Sequence, residues 1–269
     1  MKRIISLLLA VVIACTCAFT FASCGEDNTL TCGVTIFDNM NEKDADGNWI
    51  GFESEFAIEV GKIIGMDVEF QEITWEQKYN ELNSGAIDCI WNGFTANSSD
   101  KNPAGETVKR SDLVDFSYGY MLNQQCIVVK SDKLASITDV ESLNGLEACV
   151  EGGSAGEAFA ITVTDESKVL KANAQIDAFR EVAAGAVDFI VVDIVLAQSR
   201  VGGKDFEDLC IVESIELDSE IYAVGFKKGS DLTAKVNAAI EQLFENGKLA
   251  EIAKKYGFSN VLSLCKTIE

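Results

Sequence analysis

From Leu30 onward, short apolar runs alternate with stretches whose apolar residues recur at helical spacing. That alternation predicts an α/β fold built on mainly parallel sheet. Leu30 to Ile36 reads as a strand. Phe52 to Ile64 is amphipathic with a period near 3.6 and stops at Gly65, a residue suited to the left-handed turn that ends helices. Met66 to Ile73 alternates apolar and polar positions, as a strand does. Thr74 and Gln77 make a capping-box pattern for a helix that begins at Trp75 and ends near Ser84-Gly85. Ile87 to Trp91 reads as a buried strand, and residues 96–109, which hold the only proline, Pro103, read as a surface loop. Further strands are predicted over Leu146 to Val150, Val187 to Val192, Leu209 to Val212 and Ile221 to Phe226. Helices follow from about Asp231 to Tyr256.

One segment echoes another. Gly85-Ala86-Ile87-Asp88-Cys89-Ile90 recurs one hundred residues later as Gly185-Ala186-Val187-Asp188-Phe189-Ile190. Each copy follows a helical pattern and leads into a strand, so Gly ends the helix and Asp stands at the strand entrance. The flanking patterns correspond as well, which predicts two topologically similar lobes.

Composition then narrows the chemistry. The formal net charge is −21, and nucleic acid and anionic lipid headgroups are repelled by such a surface. Histidine is absent, which excludes Ser-His-Asp and Cys-His catalysis and any His-ligated metal site. No CxxC spacing suggests zinc or an iron–sulfur cluster, and no cofactor is expected. Cys32–Cys89 and Cys149–Cys210 fall on strands of one expected lobe each, so disulfides or buried free thiols both fit.

The N-terminus carries Lys2 and Arg3, an apolar run from Ile4 to Ala22, and then Phe21-Ala22-Ser23-Cys24. Small residues before a cysteine resemble the lipobox of bacterial lipoproteins, with Phe21 in place of the usual Leu. The resemblance implies a signal peptide at 1–23, a lipidated Cys24 and a polar tether at 24–29. An apolar run of about 19 residues is also long enough to span a bilayer.

The expected strand ends carry the candidate chemistry, because ligands of open parallel sheets bind beyond the carboxyl ends of the strands. Phe37 follows the first strand and Trp91-Asn92-Gly93-Phe94-Thr95 the third. Glu151-Gly152-Gly153-Ser154-Ala155-Gly156 lies between a strand and a helix, and fits neither a dinucleotide fingerprint nor a P-loop. Asp193 ends the strand Val187 to Val192.

The stretches GNWIGFESEFA (47–57), LNSGAIDCIWNGFT (82–95), RSDLVDFSYGYMLNQQCIVV (110–129), VEGGSAGEAF (150–159) and AVDFIVVDIVLA (186–197) together resemble the polar amino-acid family of ABC-transporter solute-binding proteins. The likeness spans nearly all of residues 30–260. It implies the type II periplasmic-binding-protein-like fold, with a mainly parallel sheet flanked by helices in each of two lobes. Lobe 1 would comprise 30–122 and 222–269, and lobe 2 would comprise 123–221. Two hinge crossovers would lie near 122–127 and 216–222.

The resemblance also implies a ligand site. Arg110 would pair with the ligand carboxylate through its guanidinium fork, and Thr95 and the backbone around Ser154 would add donors at a helix N-terminus. Asp193 would take the ligand ammonium, with a carbonyl near Gly93 as a second acceptor. A helix N-cap is the other role open to Asp193. Phe37 and Trp91 would sandwich the ligand side chain, with Tyr222 nearby, although an aromatic at a strand end serves a core equally well. Two departures stand out: the family's short link before the arginine is lengthened into residues 96–109, and Gly119 replaces the usual proline before Tyr120.

The expected activity is non-enzymatic capture of a polar or charged amino acid by a monomer. Lipid-anchored outside the cytoplasmic membrane, it would pass the ligand to the permease subunits of an ABC importer. A small-carboxylate enzyme using Asp193 or Glu151 as acid or base, or a sensory ligand-binding module, are the alternatives on the same fold.

Overall fold

The computed structural model describes residues 28–268. The expectations for the leader at 1–23 and for lipidation of Cys24 lie outside the described residues.

The first unit runs β1 (Thr29–Val34), α1 (Phe52–Ile64), β2 (Asp67–Glu72), α2 (Lys78–Ser84) and β3 (Cys89–Ile90). Next come the short α3 (Arg110–Leu113), β4 (Asp115–Phe116) and the long β5 (Gly119–Lys130). A second unit repeats the first pattern: β6 (Ala148–Glu151), α4 (Ala155–Val163), β7 (Val169–Ala172), α5 (Gln175–Ala184) and β8 (Phe189–Asp193). The chain finishes with α6 (Ile194–Arg200), β9 (Leu209–Ile211), β10 (Ser219–Tyr222), β11 (Gly225–Phe226), α7 (Leu232–Glu245), α8 (Lys248–Tyr256) and β12 (Leu262–Cys265).

Two large sheets result, with the same internal order. One reads β2-β1-β3-β11-β4 and the other β7-β6-β8-β5-β9. In each, the first three strands are parallel and the fourth is antiparallel. This is the two-lobe α/β architecture of type II solute-binding proteins. β11 enters the first sheet after the chain has returned from the second. β5 belongs to the second sheet through residues 125–130, while its first half pairs with β10 and β12. The strand therefore runs from its pairing with β10 and β12 into the second sheet.

The sequence echo has a structural cause. Gly85 and Gly185 end α2 and α5 in left-handed conformation, φ 79° and 72°, where an L side chain is strained. Asp88 then accepts from the Thr31 amide at 2.8 Å, and Asp188 from the Glu147 amide at 3.0 Å. Each carboxylate clamps the entrance of its own strand to the neighbouring parallel strand. Sequence and topology repeat together.

Packing follows the strand period. Cys89 and Trp91 share a face and join the largest core cluster with Phe52, Phe56 and Tyr120. Ile90 and Phe94 turn to the opposite cluster with Trp75 and Val114. Each such fully buried aliphatic or aromatic side chain contributes about 1.5–3 kcal/mol.

Two local expectations need correction, and one open choice is decided. Thr74 makes no side-chain cap; Trp75–Gln77 is a 3-10 turn and α2 starts at Lys78. The Gln77 side chain accepts from Asn80 at 2.7 Å and so does not reach back to Thr74. Residues 96–109, read as a surface loop, lie largely at the surface but are more regular than a loop, holding a hairpin of Ser99–Lys101 against Thr107–Lys109. Asn102 closes its turn by accepting from the amides of Ala104 and Glu106. Finally, all six described cysteines are free thiols. Cys32 and Cys89 are register partners with sulfurs 3.6 Å apart, whereas β8 and β5 separate Cys149 from Cys210 and preclude a bridge there.

Candidate functional site

The residues just beyond the strand ends converge on one narrow cavity between the two sheets. Trp75 arrives from beyond β2, Asn92, Gly93 and Thr95 from beyond β3, and Glu151, Ser154 and Ala155 from the end of β6 and the start of α4. Asp193 ends β8, Gln175 opens α5, Gln125 comes from the middle of β5 and Arg110 from the start of α3. The cavity is narrow, with about 10 Å³ of free space. Beside it, sharing Thr95, Gln125 and Ala155, a wider groove opens past Asn97, Asp218 and Glu220. The lobes meet around the cavity through Lys78, which donates to the Gly153 carbonyl at 2.8 Å, and through the Arg200–Asp38 ion pair.

Arg110 is 1% exposed. Its Nε donates to Asp100 Oδ2 at 3.1 Å, Nη2 to Oδ1 at 3.3 Å and Nη1 to the Thr95 carbonyl at 3.0 Å. A guanidinium has five N–H groups, so two stay free for a ligand. Its flat face lies 5.0 Å from the Phe94 ring, a cation–π contact. Asp100 also meets Lys78 at 3.4 Å and accepts from the Tyr79 hydroxyl at 2.7 Å. Burial works to raise its pKa, but the Arg110 and Lys78 charges outweigh burial and hold it below the ordinary carboxylate range. Burial pushes Lys78 down to about 8.

Asp193 anchors the opposite wall. Its Oδ1 accepts from Asn123 at 2.5 Å and Gln125 at 2.7 Å, and its Oδ2 from Gln175. The same two amides donate to Glu220 Oε2 at 2.7 and 3.0 Å, with Thr95 adding a third bond at 3.2 Å. Sheet register explains the arrangement: Gln125 stands opposite Asp193, and Asn123 opposite Glu220. Side chains facing each other across strands lie about 5 Å apart. Burial raises Asp193, and it takes Glu220 up to about 7, with the Asp193 charge adding to the rise.

Ser154 caps α4 by accepting from the Glu157 amide at 3.0 Å. The first-turn amides beyond it have no acceptor within their own helix, which leaves donors for an anion. Gly93, with φ +57°, donates its amide to both Glu53 oxygens at 2.9 and 3.0 Å. A Cβ there would lie 2.9 Å from the Phe37 ring and 3.2 Å from the Tyr222 ring.

Gly93, Thr95, Arg110, Ser154 and Asp193 are thus brought together. Phe37, Trp91 and Tyr222 do not line the cavity. Trp91 is wholly buried, edge-on to Phe56 at 5.1 Å, because its strand parity points it into the core. Phe37 and Tyr222 pack behind Gly93, and the buried Tyr222 hydroxyl has no hydrogen-bond partner. Trp75 is the aromatic of the cavity wall. It lies just past a strand end, so the strand-end rule that singled out Trp91 applies to it as well. Gln125, Gln175, Asn92 and Glu151 complete the wall, and Asp100 and Glu220 support it from behind.

Two lobes closing over a buried pocket of fixed donors and acceptors define a solute-binding protein. The chain matches the bacterial extracellular solute-binding proteins, family 3, over residues 30–260, and it belongs to that family. The arginine-binding extracellular protein ArtP of Bacillus subtilis is 26% identical over 259 residues, 93% of this chain and 96% of the relative. The L-cystine-binding protein TcyA of the same organism is 27% identical over 80% of this chain and 75% of its own. Among solved structures, an ancestral arginine-binding protein bound to arginine superposes with a TM-score of 0.75 at 30% identity. That match covers 85% of this chain and 98% of the other.

Proposed function

We propose that this protein captures a polar or charged α-amino acid between its lobes and delivers it unchanged to the permease of an ABC importer. The carrying observation is that Arg110 and Asp193, opposite in charge and deeply buried, line the same narrow cavity. In this reading the two free N–H groups of Arg110, Thr95 and the α4 N-terminus hold the carboxylate. Asp193 holds the ammonium, with the Asn123 and Gln125 amides fixing its orientation. A zwitterion leaves water only where both its charges are met. The relatives named for arginine and cystine support the same solute class.

The moving units are residues 30–122 with 222–269, and residues 123–221, flexing at the β5 and β10 strands. Ligand contacts made from both sides favour the closed form over the open one, which is how binding shifts the equilibrium. Lipidation of Cys24 would hold a monomer on the outer face of the cytoplasmic membrane, next to the permease. Supporting the anchor is the small-residue approach to Cys24.

Titration calorimetry with the common amino acids and cystine tests the proposal. A dissociation constant of micromolar order corresponds to about −8 kcal/mol, and mass spectrometry should recover the bound ligand intact. Absence of binding by every α-amino acid would refute the reading.

A further inference from the structure

We propose that the cleft selects an amino acid whose side chain carries a second positive charge, and that Glu151 is the carboxylate that receives it. The inference rests on the amino-acid reading above and deepens it to a ligand class.

A zwitterionic head leaves one buried charge of the cleft unmatched. Arg110 meets the ligand carboxylate and Asp193 the ammonium. Asp100 is already occupied by Arg110, Lys78 and Tyr79. Both oxygens of Glu53 are tied, to the Gly93 amide and the Tyr120 hydroxyl. Lys78 is spent on the Gly153 carbonyl and Asp100. Glu151 stands apart. It lines the cavity, it is 4% exposed, and its Oε1 has no hydrogen-bond partner. Among the carboxylates lining the cavity, no other oxygen is both buried and partnerless in the described residues.

A buried carboxylate oxygen without a donor is costly, and a cation of complementary placement removes that cost. A neutral ligand would leave Glu151 buried beside Asp193 with only Lys78 as a nearby cation, and Lys78 is already paired with Asp100. A ligand with a guanidinium or ammonium side chain supplies a counter-charge. Trp75 lines the same cavity and offers an aromatic ring, a surface that attracts cations. The chain's net charge of −21 acts in the same direction at long range, drawing cationic solutes toward the cleft.

The decisive comparison is L-arginine against L-citrulline, a nearly isosteric amino acid without the side-chain charge, with L-lysine as the second cation. By calorimetry, L-arginine or L-lysine should bind at least about thirtyfold more tightly than L-citrulline, as expected for one charged hydrogen-bonded contact. Glu151→Gln should weaken binding of the cations about tenfold to hundredfold and leave citrulline within about threefold. Citrulline binding the wild-type protein as tightly as the two cations overturns the inference while leaving amino-acid capture intact, and that arm needs no variant. Equal weakening of all three ligands by Glu151→Gln also overturns it, since Glu151 would then serve the common α-ammonium. If no α-amino acid binds at all, the underlying reading fails first and this one with it.

Discussion

The Asp100 carboxylate meets the edge of the Arg110 guanidinium, with Nε at 3.1 Å from Oδ2 and Nη2 at 3.3 Å from Oδ1. The pair comes from the two ends of the hairpin segment that lengthens the link after Thr95, and it points the other guanidinium edge toward the cleft. The longer connection therefore brings its own clamp. Asp100→Ala leaves Arg110 and Lys78 buried without their shared counter-ion. Breaking a buried pair of this kind costs about 3–5 kcal/mol, and urea unfolding should show a loss in that range. Ligand affinity should fall as well, because Arg110 loses its fixed orientation.

Arg110 itself should matter to binding as well as to folding. Arg110→Ala removes the counter-charge of a buried ligand carboxylate, a loss of about 2–5 kcal/mol in binding free energy. Arg110→Lys should recover little of it, since an ammonium cannot keep Asp100, the Thr95 carbonyl and a ligand on one planar fork. Calorimetric dissociation constants within threefold of wild type for Arg110→Ala would contradict the assigned role.

The two buried tryptophans should separate cleanly. Trp75 lines the cavity and Trp91 does not. Among the chain's three tryptophans, Trp75→Phe should abolish most of the ligand-induced change in fluorescence, and Trp91→Phe should preserve it. Trp91→Ala should instead lower stability by about 3–5 kcal/mol, the usual loss for a large core aromatic. A ligand signal that survives Trp75→Phe would return the stacking role to another aromatic.

The acidic groups around the cleft set a pH dependence. Burial raises Glu53 to about 7 and Glu220 to about 7, and it raises Glu151 to about 8 with the Asp193 charge adding to the rise. Lys78 faces Glu151 and Arg110 faces Glu220, while the Asp193 charge acts on all three. Without ligand, the folded protein holds protons that the unfolded chain releases near pH 4.5. The sign follows from linkage: the associated stability is fully present below about pH 4.5 and is lost as pH rises through 7 to 8. The melting temperature of the free protein should therefore fall between pH 5 and 8. A cationic ligand needs the carboxylates ionised, so its affinity should rise over the same interval with release of protons. Calorimetry in buffers of different ionisation enthalpy measures that release directly.

Much of the architecture was legible along the chain. Apolar periodicity located the parallel strands and the helices that cover them. The Gly85–Ile90 and Gly185–Ile190 echo marked corresponding positions in the two lobes, because helix ends and strand entrances place local demands on the backbone that Gly and Asp satisfy. The strand-end rule also gathered Gly93, Thr95, Ser154 and Asp193, since chain direction alone determines which end of a parallel strand opens toward a ligand, whereas Arg110 was reached only through the family resemblance.

Tertiary structure decided what periodicity cannot carry. Strand β3 is buried on both faces, so no polar alternation told which way Trp91 points, and the cavity took Trp75 instead. Asn123 and Gln125 bridge Asp193 and Glu220 only through the register of β5 with β8 and β10, partners some 70 to 100 residues distant in sequence. Register over such separations is selected by the fit of whole sheets and the burial of their shared core, a property of the assembled lobes and not of any local stretch. The meeting of Asp100 with Arg110 depended likewise on an inserted hairpin folding back on its own root.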